Sequence, residues 1–253
     1  MRSTLFRGSL LQVTNRYMSS GGAPKPRRVA LVLAGAGVYD GSEIQEVMAV
    51  MFNVSRKGYE LQCFAPDKLQ HHVIDHTKGE EMNESRNCLV ESSRICRGNI
   101  KPLTELPSSV DEYACLIVPG GFGAAKNLCN HATVAQGDVS KLIVEPALAD
   151  SIKKFNNAEK PIGMCCIAPV IAASVLKAKV TVGKAVGDQW PYGGTVQAVI
   201  NYGGSHEEMD FDGVCVDTEK KVVTSPAYMY DGKPSEIQDS VDNMVNATLA
   251  MVK

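Results

Sequence analysis

The chain has 253 residues, a formal net charge of −2 and 44% hydrophobic residues. This charge balance excludes the strongly basic surface that nucleic-acid binding needs, so no nucleic-acid partner is expected. No segment approaches the roughly 20 consecutive apolar residues of a membrane span, and none is expected.

The N-terminal segment differs from the rest of the chain in charge, because six Arg or Lys residues precede the first acidic residue, Asp40. It is rich in Arg, Ser and Thr and lacks the long apolar block of a secretory signal, which is typical of a mitochondrial transit peptide. A disordered cytosolic leader is the alternative. We therefore predict a transit peptide and linker over residues 1–27, a single domain over residues 28–253, and a mitochondrial protein, in the matrix.

Apolar runs that end at Gly or Pro predict the strands of a parallel sheet buried on both faces. These runs cover residues 27–35, 59–66, 113–121 and 161–166, a strand pair over 213–227, and shorter candidates at 71–76 and 180–183.

Helical spacing of apolar residues predicts helices between these strands. They cover residues 43–57, 87–98, 139–157 and 194–202, one that begins at Pro169, and a last one over 235–252. Ser42 is the expected N-cap of the first helix, and the third turns Ile143, Leu148, Ile152 and Phe155 inward. The alternation predicts one doubly wound α/β domain.

The eight cysteines form no C-x-x-C pair and are scattered through apolar segments. This scatter indicates a reducing compartment with mostly buried thiols, and it argues against a zinc site. We expect neither a metal nor a cofactor.

Three polar or glycine-rich segments follow strands and should meet at one edge of the sheet, namely residues 35–43, 119–127 and 165–169. A dinucleotide site at the first segment is disfavoured, because its glycine spacing is too long and no acidic residue ends the second strand. The third segment, CCIAP, fits a nucleophile elbow. Such a turn needs small residues, and Ala168 is the second residue after Cys166 whereas Ile167 holds that position relative to Cys165.

Pro169 favours the same choice, because proline is common in the first turn of a helix and the helix N-terminus lowers the pKa of a nearby thiol. Cys165 should face the core instead. The backbone amides of Gly120, Gly121 and Ile167 are candidate oxyanion donors.

Acid/base candidates at the same edge are Asp40, Glu43 and His76, and Asn127 is a further candidate for the pocket. Dipole compensation at a helix start is the alternative for Glu43, and a solvated loop position is the alternative for His76. The string His206-Glu207-Glu208 has the H-x-E spacing of a glutaminase pair, but its polar surroundings favour a surface charge cluster.

Several motifs resemble the ElbB-like branch of the ThiJ/PfpI superfamily, which has a class I glutamine amidotransferase-like, flavodoxin-like fold with helices on both sheet faces. These motifs are GVYDGSEI, CFAPDK, HVIDHTKGE, ESRN, VPGGFGAAKNL, KPIGMCCIAP and VVTSPAYM. The leader and WPYGGT are similar to the vertebrate mitochondrial ES-one proteins.

The resemblance implies that Cys166 is the elbow nucleophile, that Glu43 is the acidic partner hydrogen-bonded to its thiol, and that Gly121 and Ile167 supply the oxyanion amides. It also implies glyoxalase-type conversion of small 2-oxoaldehydes to 2-hydroxy acids without metal or glutathione. Dimerisation is common in the superfamily, so a homodimer is an alternative to a monomer.

Two departures weaken the protease and glutaminase interpretations, because Ile167 and Gln45 stand where related sequences carry histidine. The leading hypothesis is a glyoxalase-like enzyme acting on a small aldehyde. The alternatives are a catalytically silent protein that binds a metabolite or senses oxidants in mitochondrial maintenance, and a glutaminase.

Overall fold

The computed structural model describes residues 27–134 and 142–253, and a seven-stranded sheet forms its centre. The sheet strands are β1 (Arg28–Val32), β2 (Glu60–Ala65), β5 (Ile100–Pro102), β6 (Cys115–Val118), β7 (Ile162–Cys165), β10 (Cys215–Asp217) and β11 (Val222–Ser225). Their spatial order is β10-β11-β7-β6-β1-β2-β5, and every neighbouring pair is parallel except β10 with β11 at one edge. The predicted doubly wound, mostly parallel sheet is therefore confirmed.

Two small sheets lie outside the central one. An antiparallel hairpin joins β3 (Ile74–Asp75) to β4 (Glu80–Glu81), and β8 (Lys179–Val180) pairs in parallel with β9 (Ser205–His206). The strand expected at 180–183 thus belongs to a separate sheet. The sequence patterns did not predict β5 or β9, because each has only two or three residues and no periodicity can show in so short a segment.

Helices connect the strands and cover both faces of the sheet. They are α1 (Ile44–Arg56), α2 (Cys88–Ile95), α3 (Pro146–Asn157), α4 (Pro169–Leu176), α5 (Gly194–Asn201) and α6 (Pro234–Ala250), and Ala124–Leu128 form a π-helical segment. α1 packs on α6, and α3 packs on α4. Because helices cover both faces of the sheet, every residue of β6, β7 and β11 is buried, as expected for central strands of a mostly parallel sheet.

Two predicted helix starts need correction. α3 begins at Pro146 rather than at residue 139, because proline suits the first helical position; Ile143 then precedes the helix and is 65% exposed, whereas Leu148, Ile152 and Phe155 are fully buried. α1 is capped by Glu43 rather than by Ser42, whose hydroxyl accepts the Ala34 N–H instead. Residues 135–141 lie outside the described residues.

The predicted transit peptide and linker also lies outside the described residues up to residue 26, so its boundary stays a prediction. Within the described ranges, no helix is both long and apolar enough to cross a membrane.

Candidate active site

The three segments expected to meet at one sheet edge do meet there. The Glu43 N–H donates to the Gly120 carbonyl (3.1 Å), and the Phe122 N–H donates to the Val38 carbonyl (2.7 Å). Gly121 has φ +91°, and a Cβ at this residue would lie 2.4 Å from the Glu43 nitrogen. Only glycine therefore allows the loop after β6 to lie this close to the start of α1.

Cys166 occupies a sharp turn between β7 and α4. Its φ of +57° lies in the left-handed region, which is uncommon for a residue other than glycine and persists only where the surroundings hold it. Its N–H donates to the Ser225 carbonyl (3.1 Å), and its side chain is 7% exposed. The backbone N–H groups of Gly121 and Ile167 donate to its sulfur. The two amides expected at an oxyanion site thus lie at the same sulfur atom.

The carboxylate that contacts this thiol belongs to Glu46, which is fully buried. Its Oε2 accepts the Gly120 N–H (2.8 Å), its Oε1 accepts the Tyr228 N–H (3.3 Å), and its side chain is hydrogen-bonded to Cys166. A Cβ at Gly120 would lie 2.7 Å from the Cys166 sulfur and 2.9 Å from Glu46 Oε2. Glycine at this position leaves room for the thiol and the carboxylate together.

Glu43 occupies a different position from the one predicted for it. Its carboxylate is the N-cap of α1 and accepts the Glu46 N–H (2.6 Å), while its side chain also lines the cavity described below. The hydrogen bond to the thiol that the resemblance assigned to Glu43 is made by Glu46. The reason is helical geometry, because α1 starts at Ile44 and one turn directs Glu46 inward with Val47, Val50 and Val54.

A signal for Glu46 was present in the sequence. A carboxylate in the apolar stripe of a helix is expensive to bury, so its position beside Val47 and Val50 marks it as a group with specific partners.

The pKa values follow from burial. Burial, followed by repulsion from Glu43, raises the pKa of Glu46 to about 7. Hydrogen bonds from the Gly120 and Tyr228 N–H groups partly oppose this rise. Burial also raises the pKa of Glu43. The pKa of the Cys166 thiol is raised well above its usual range by burial and then by the charge of Glu46, although the Gly121 and Ile167 amides oppose this rise. The lowered thiol pKa expected for Cys166 is therefore wrong, since desolvation outweighs the hydrogen bonds from the two amides.

Cys165 is fully buried, as expected, but it also makes a polar contact. Its thiol donates to Glu46 Oε2 (3.7 Å), and burial, with the charge of Glu46, raises its pKa. Strand alternation predicts that adjacent side chains point to opposite faces. The left-handed φ of Cys166 ends that alternation, so both thiols reach one carboxylate.

A cavity of about 710 Å³ opens at Cys166. Glu43, Gly121 and Ile167 are among its walls, and so are five aromatic residues, namely Tyr39, Phe122, Tyr192, Tyr228 and Tyr230. The hydroxyl of Tyr228 donates to the side-chain oxygen of Gln45.

His131 also lines the cavity, and the sequence patterns did not single it out. Its Nδ1 lies 2.7 Å from the Tyr202 hydroxyl, and burial lowers its pKa. It follows an irregular segment and belongs to no motif, so only the folded chain brings it to this wall.

Asp40, His76 and Asn127 do not line this cavity but join the loops around it. Asp40 Oδ2 accepts the Ile74 N–H (2.8 Å), and His76 Nε2 accepts the Tyr39 N–H (3.2 Å). Asn127 donates to the Ala34 and Asp40 carbonyls (2.9 Å each). Gly120 lies behind the thiol, with its amide on Glu46. The side chains expected in the pocket at these positions therefore fix backbone segments.

His206 lies on β9 and is not a wall of the cavity. Its Nε2 accepts the Val182 N–H (3.2 Å), and the neighbouring Glu207 pairs with Lys179 (2.6 Å). The H-x-E string is thus part of a polar surface segment. In residues 27–134 and 142–253, no group of three or more His, Cys, Asp or Glu side chains is placed to hold a metal ion.

No protein-family model matches the chain, but related proteins do. The mitochondrial ES1 protein homolog of Rattus norvegicus is 48% identical over 234 residues, which cover 90% of this chain and 86% of the relative. The human mitochondrial glutamine amidotransferase-like class 1 domain-containing protein 3 is 47% identical over 233 residues, which cover 90% and 85%.

Among solved structures, the crystal structure of an isoprenoid biosynthesis protein with an amidotransferase-like domain from Ehrlichia chaffeensis matches with a TM-score of 0.79. It is 32% identical and covers 89% of this chain and 99% of its own. The resemblance inferred from the motifs and the mitochondrial localisation inferred from the leader are both confirmed by these relatives. The chain belongs to the mitochondrial ES1 family of glutamine amidotransferase-like class 1 proteins.

Proposed function

We propose that the protein converts 2-oxoaldehydes into 2-hydroxy acids with Cys166 as the nucleophile, without metal or glutathione. The observation that carries this proposal is the contact of one thiol with a buried carboxylate, Glu46, and with two backbone amides at the wall of a cavity. A nucleophile, a proton acceptor and oxyanion donors are the groups that addition to a carbonyl requires.

In the first step, the Cys166 sulfur adds to the aldehyde carbon and its proton passes to Glu46. With a pKa of about 7, Glu46 is a suitable base near neutral pH, because a general base works best when its pKa lies near the working pH. Transfer of the proton also removes the negative charge that opposes thiolate formation. The negative charge on the former aldehyde oxygen is stabilised by the amides of Gly121 and Ile167.

In the second step, a proton moves from the former aldehyde carbon to the neighbouring carbonyl carbon. Glu43 is the group proposed for this transfer, because it lines the cavity beside Cys166 and because burial, which raises its pKa, makes its carboxylate a stronger base. The first oxygen becomes the carbonyl of a thioester, and the proton held by Glu46 passes to the oxygen of the second carbon, which becomes the 2-hydroxyl. The first carbon is thereby oxidised and the second reduced, which leaves a thioester of the 2-hydroxy acid on Cys166. Water then hydrolyses the thioester, releasing the acid and restoring the thiol.

A purified-protein assay tests the proposal. Methylglyoxal and phenylglyoxal are supplied separately, and lactate and mandelate are measured by chromatography. Wild type should form product and Cys166→Ala should not, whereas Cys215→Ala, which removes a buried thiol on the edge strand β10, should behave as wild type. Equal inactivity of wild type and Cys166→Ala on both aldehydes would refute the proposal.

A catalytically silent protein that binds a metabolite or senses oxidants is the second candidate. The raised pKa of Cys166 favours it, because a thiol that stays protonated is a weak nucleophile. The same assay separates the two, since a silent protein forms no product. A glutaminase is less well supported, because His206 does not line the cavity, and the absence of ammonia release from glutamine would exclude it.

A further inference from the structure

We propose that the preferred substrate is a 2-oxoaldehyde with a bulky, uncharged aromatic group rather than a small or anionic one. This inference rests on the proposed function and names the substrate class for the same cavity.

The first argument is size. The cavity of about 710 Å³ falls within the roughly 300–1,000 Å³ typical of sites that hold drug-sized ligands. Methylglyoxal, a three-carbon molecule, would leave most of it filled with water. A second cavity of about 580 Å³ shares five of the walls, which adds room beyond the first; the shared residues are His131, Val134, Pro191, Tyr192 and Thr195.

The second argument is the aromatic surface left uncovered. Tyr39 and Tyr192 line the cavity and remain 41% and 45% exposed, although rings of this size gain most from burial. Phe122 and Tyr192 meet edge to face, with centroids 6.3 Å apart. An aromatic ligand would cover these faces, which a three-carbon molecule is too small to do.

The third argument is the stiffness of one wall. Tyr230 lies against Trp190, with ring centroids 5.1 Å apart, and stacks on Phe211, with centroids 5.3 Å apart. A ring fixed in this way is ready to contact a ligand without losing rotamer freedom on binding.

The fourth argument is charge. Among the described residues, the walls carry the acidic Glu43 and Asp231 but no Lys or Arg. The nearby Lys126 is not a wall, and its ammonium donates to the Tyr39 carbonyl (2.9 Å). A carboxylate or phosphate on the substrate would therefore lose its water and find repulsion instead of a partner, which disfavours anionic substrates.

The test compares kcat/KM for methylglyoxal, phenylglyoxal and 4-carboxyphenylglyoxal, the last of which adds one negative charge to the same ring. Wild type should prefer phenylglyoxal over each of the other two by about tenfold, the scale set by gaining or losing a pocket contact. Equal or lower kcat/KM for phenylglyoxal than for methylglyoxal, or no discrimination against the carboxylate, would overturn the inference.

Two variants separate the contact with the ring from the intrinsic reactivity of each aldehyde. Tyr192→Ala should lower kcat/KM for phenylglyoxal by a factor about fivefold or more larger than the factor lost for methylglyoxal. Phe52→Ala, which removes a half-exposed aromatic ring of α1 that is not a wall, should change neither. A Tyr192→Ala variant that loses the same factor on both aldehydes would contradict the assignment.

Binding of unreactive analogues distinguishes this inference from the proposed function. Trp190 is the single tryptophan of the chain and contacts the wall residue Tyr230, so its fluorescence should report occupation of the cavity. Tighter binding of 2-hydroxyacetophenone than of hydroxyacetone, without turnover of any aldehyde, would support the aromatic cavity and refute the enzyme. Equal binding of the two analogues would refute the aromatic preference itself.

Discussion

Two regions at the same edge of the sheet carry similar residues but use them differently. The turn after β7 holds Cys166 against Glu46 and opens on the cavity, whereas the side chains of Asp40, His76 and Asn127, which we call the loop cluster, bond to backbone groups of neighbouring loops. Position at the strand ends therefore does not separate a side chain that faces the cavity from one that joins loops. The partner of each polar atom does, because a side chain already committed to backbone groups is not free to exchange protons with a ligand.

The largest difference between the two regions should appear in activity. Glu46→Gln removes the proposed proton acceptor, so kcat/KM for phenylglyoxal should fall about 100-fold or more. The rise of kcat/KM with pH through about 7 should disappear in the variant, because wild type needs Glu46 deprotonated. Glu91→Gln is the matched control, since Glu91 is also buried but lies on α2 beside Arg94 (3.3 Å). A Glu46→Gln variant with full activity would mean that another group accepts the thiol proton.

Glu46 should also make the free energy of unfolding depend on pH. Its pKa is about 7 in the folded chain and 4.5 in the reference state, so its favourable contribution is present below pH 4.5 and is lost as pH rises to about 7. The free energy of unfolding of wild type should fall by about 3 kcal/mol more than that of Glu46→Gln across this window. Denaturant unfolding at pH 4.5 and pH 8 measures the difference, and parallel pH profiles would contradict the raised pKa.

In the loop cluster, the main effect should be on stability rather than on catalysis. Asn127→Ala leaves the Ala34 and Asp40 carbonyls without their donor and should lower the free energy of unfolding by about 2 kcal/mol. Activity per folded molecule should change less than twofold. Asn243→Ala, which removes one exposed bond to the Asp212 carbonyl, is the control and should cost under about 0.5 kcal/mol. Loss of activity without loss of stability in Asn127→Ala would move this residue into the active site.

The smallest effect is expected for His76→Ala. Its ring bonds to the Tyr39 N–H and the Ile74 carbonyl, lies 3.9 Å from Asp40 Oδ1 and is partly exposed, so removing it should cost about 1 kcal/mol. The pH dependence of kcat/KM should stay that of wild type. A displaced pH profile in this variant would show that the loop cluster and the turn after β7 are not separate in function.

The fold was largely predictable, because buried parallel strands appear as continuous apolar runs and because apolar residues recur every three to four positions along a helix. Short elements such as β5 and β9 were not predicted, because two or three residues show no periodicity. The start of α3 was placed too early, because Ile143 continues the apolar spacing although the helix begins only at Pro146.

At the site, the position of Cys166 followed from the sizes of its neighbours and from Pro169. The sequence did not show whether Glu43 or Glu46 lies at the thiol. Both stand within one helical turn, and only the true start of α1 decides which side chain points inward. The direction of the thiol pKa was missed for a similar reason. Desolvation depends on how much protein surrounds the sulfur, and the local motif contains no information about that.

The interlocked loops also bear on the order of folding. Glu43 is bonded to Gly120, Phe122 to Val38 and Gly123 to Gly41 through backbone groups, and the Asn127 side chain adds bonds to the Ala34 and Asp40 carbonyls, so the loop after β1 and the loop after β6 hold each other. These bonds join residues roughly eighty positions apart and can form only once β1 and β6 lie side by side, so local collapse of either loop cannot assemble the site. A partly folded chain therefore lacks both the Gly121 amide beside Cys166 and the docked start of α1 that carries Glu46. Exposed Cys166 in such a chain would be an ordinary surface thiol.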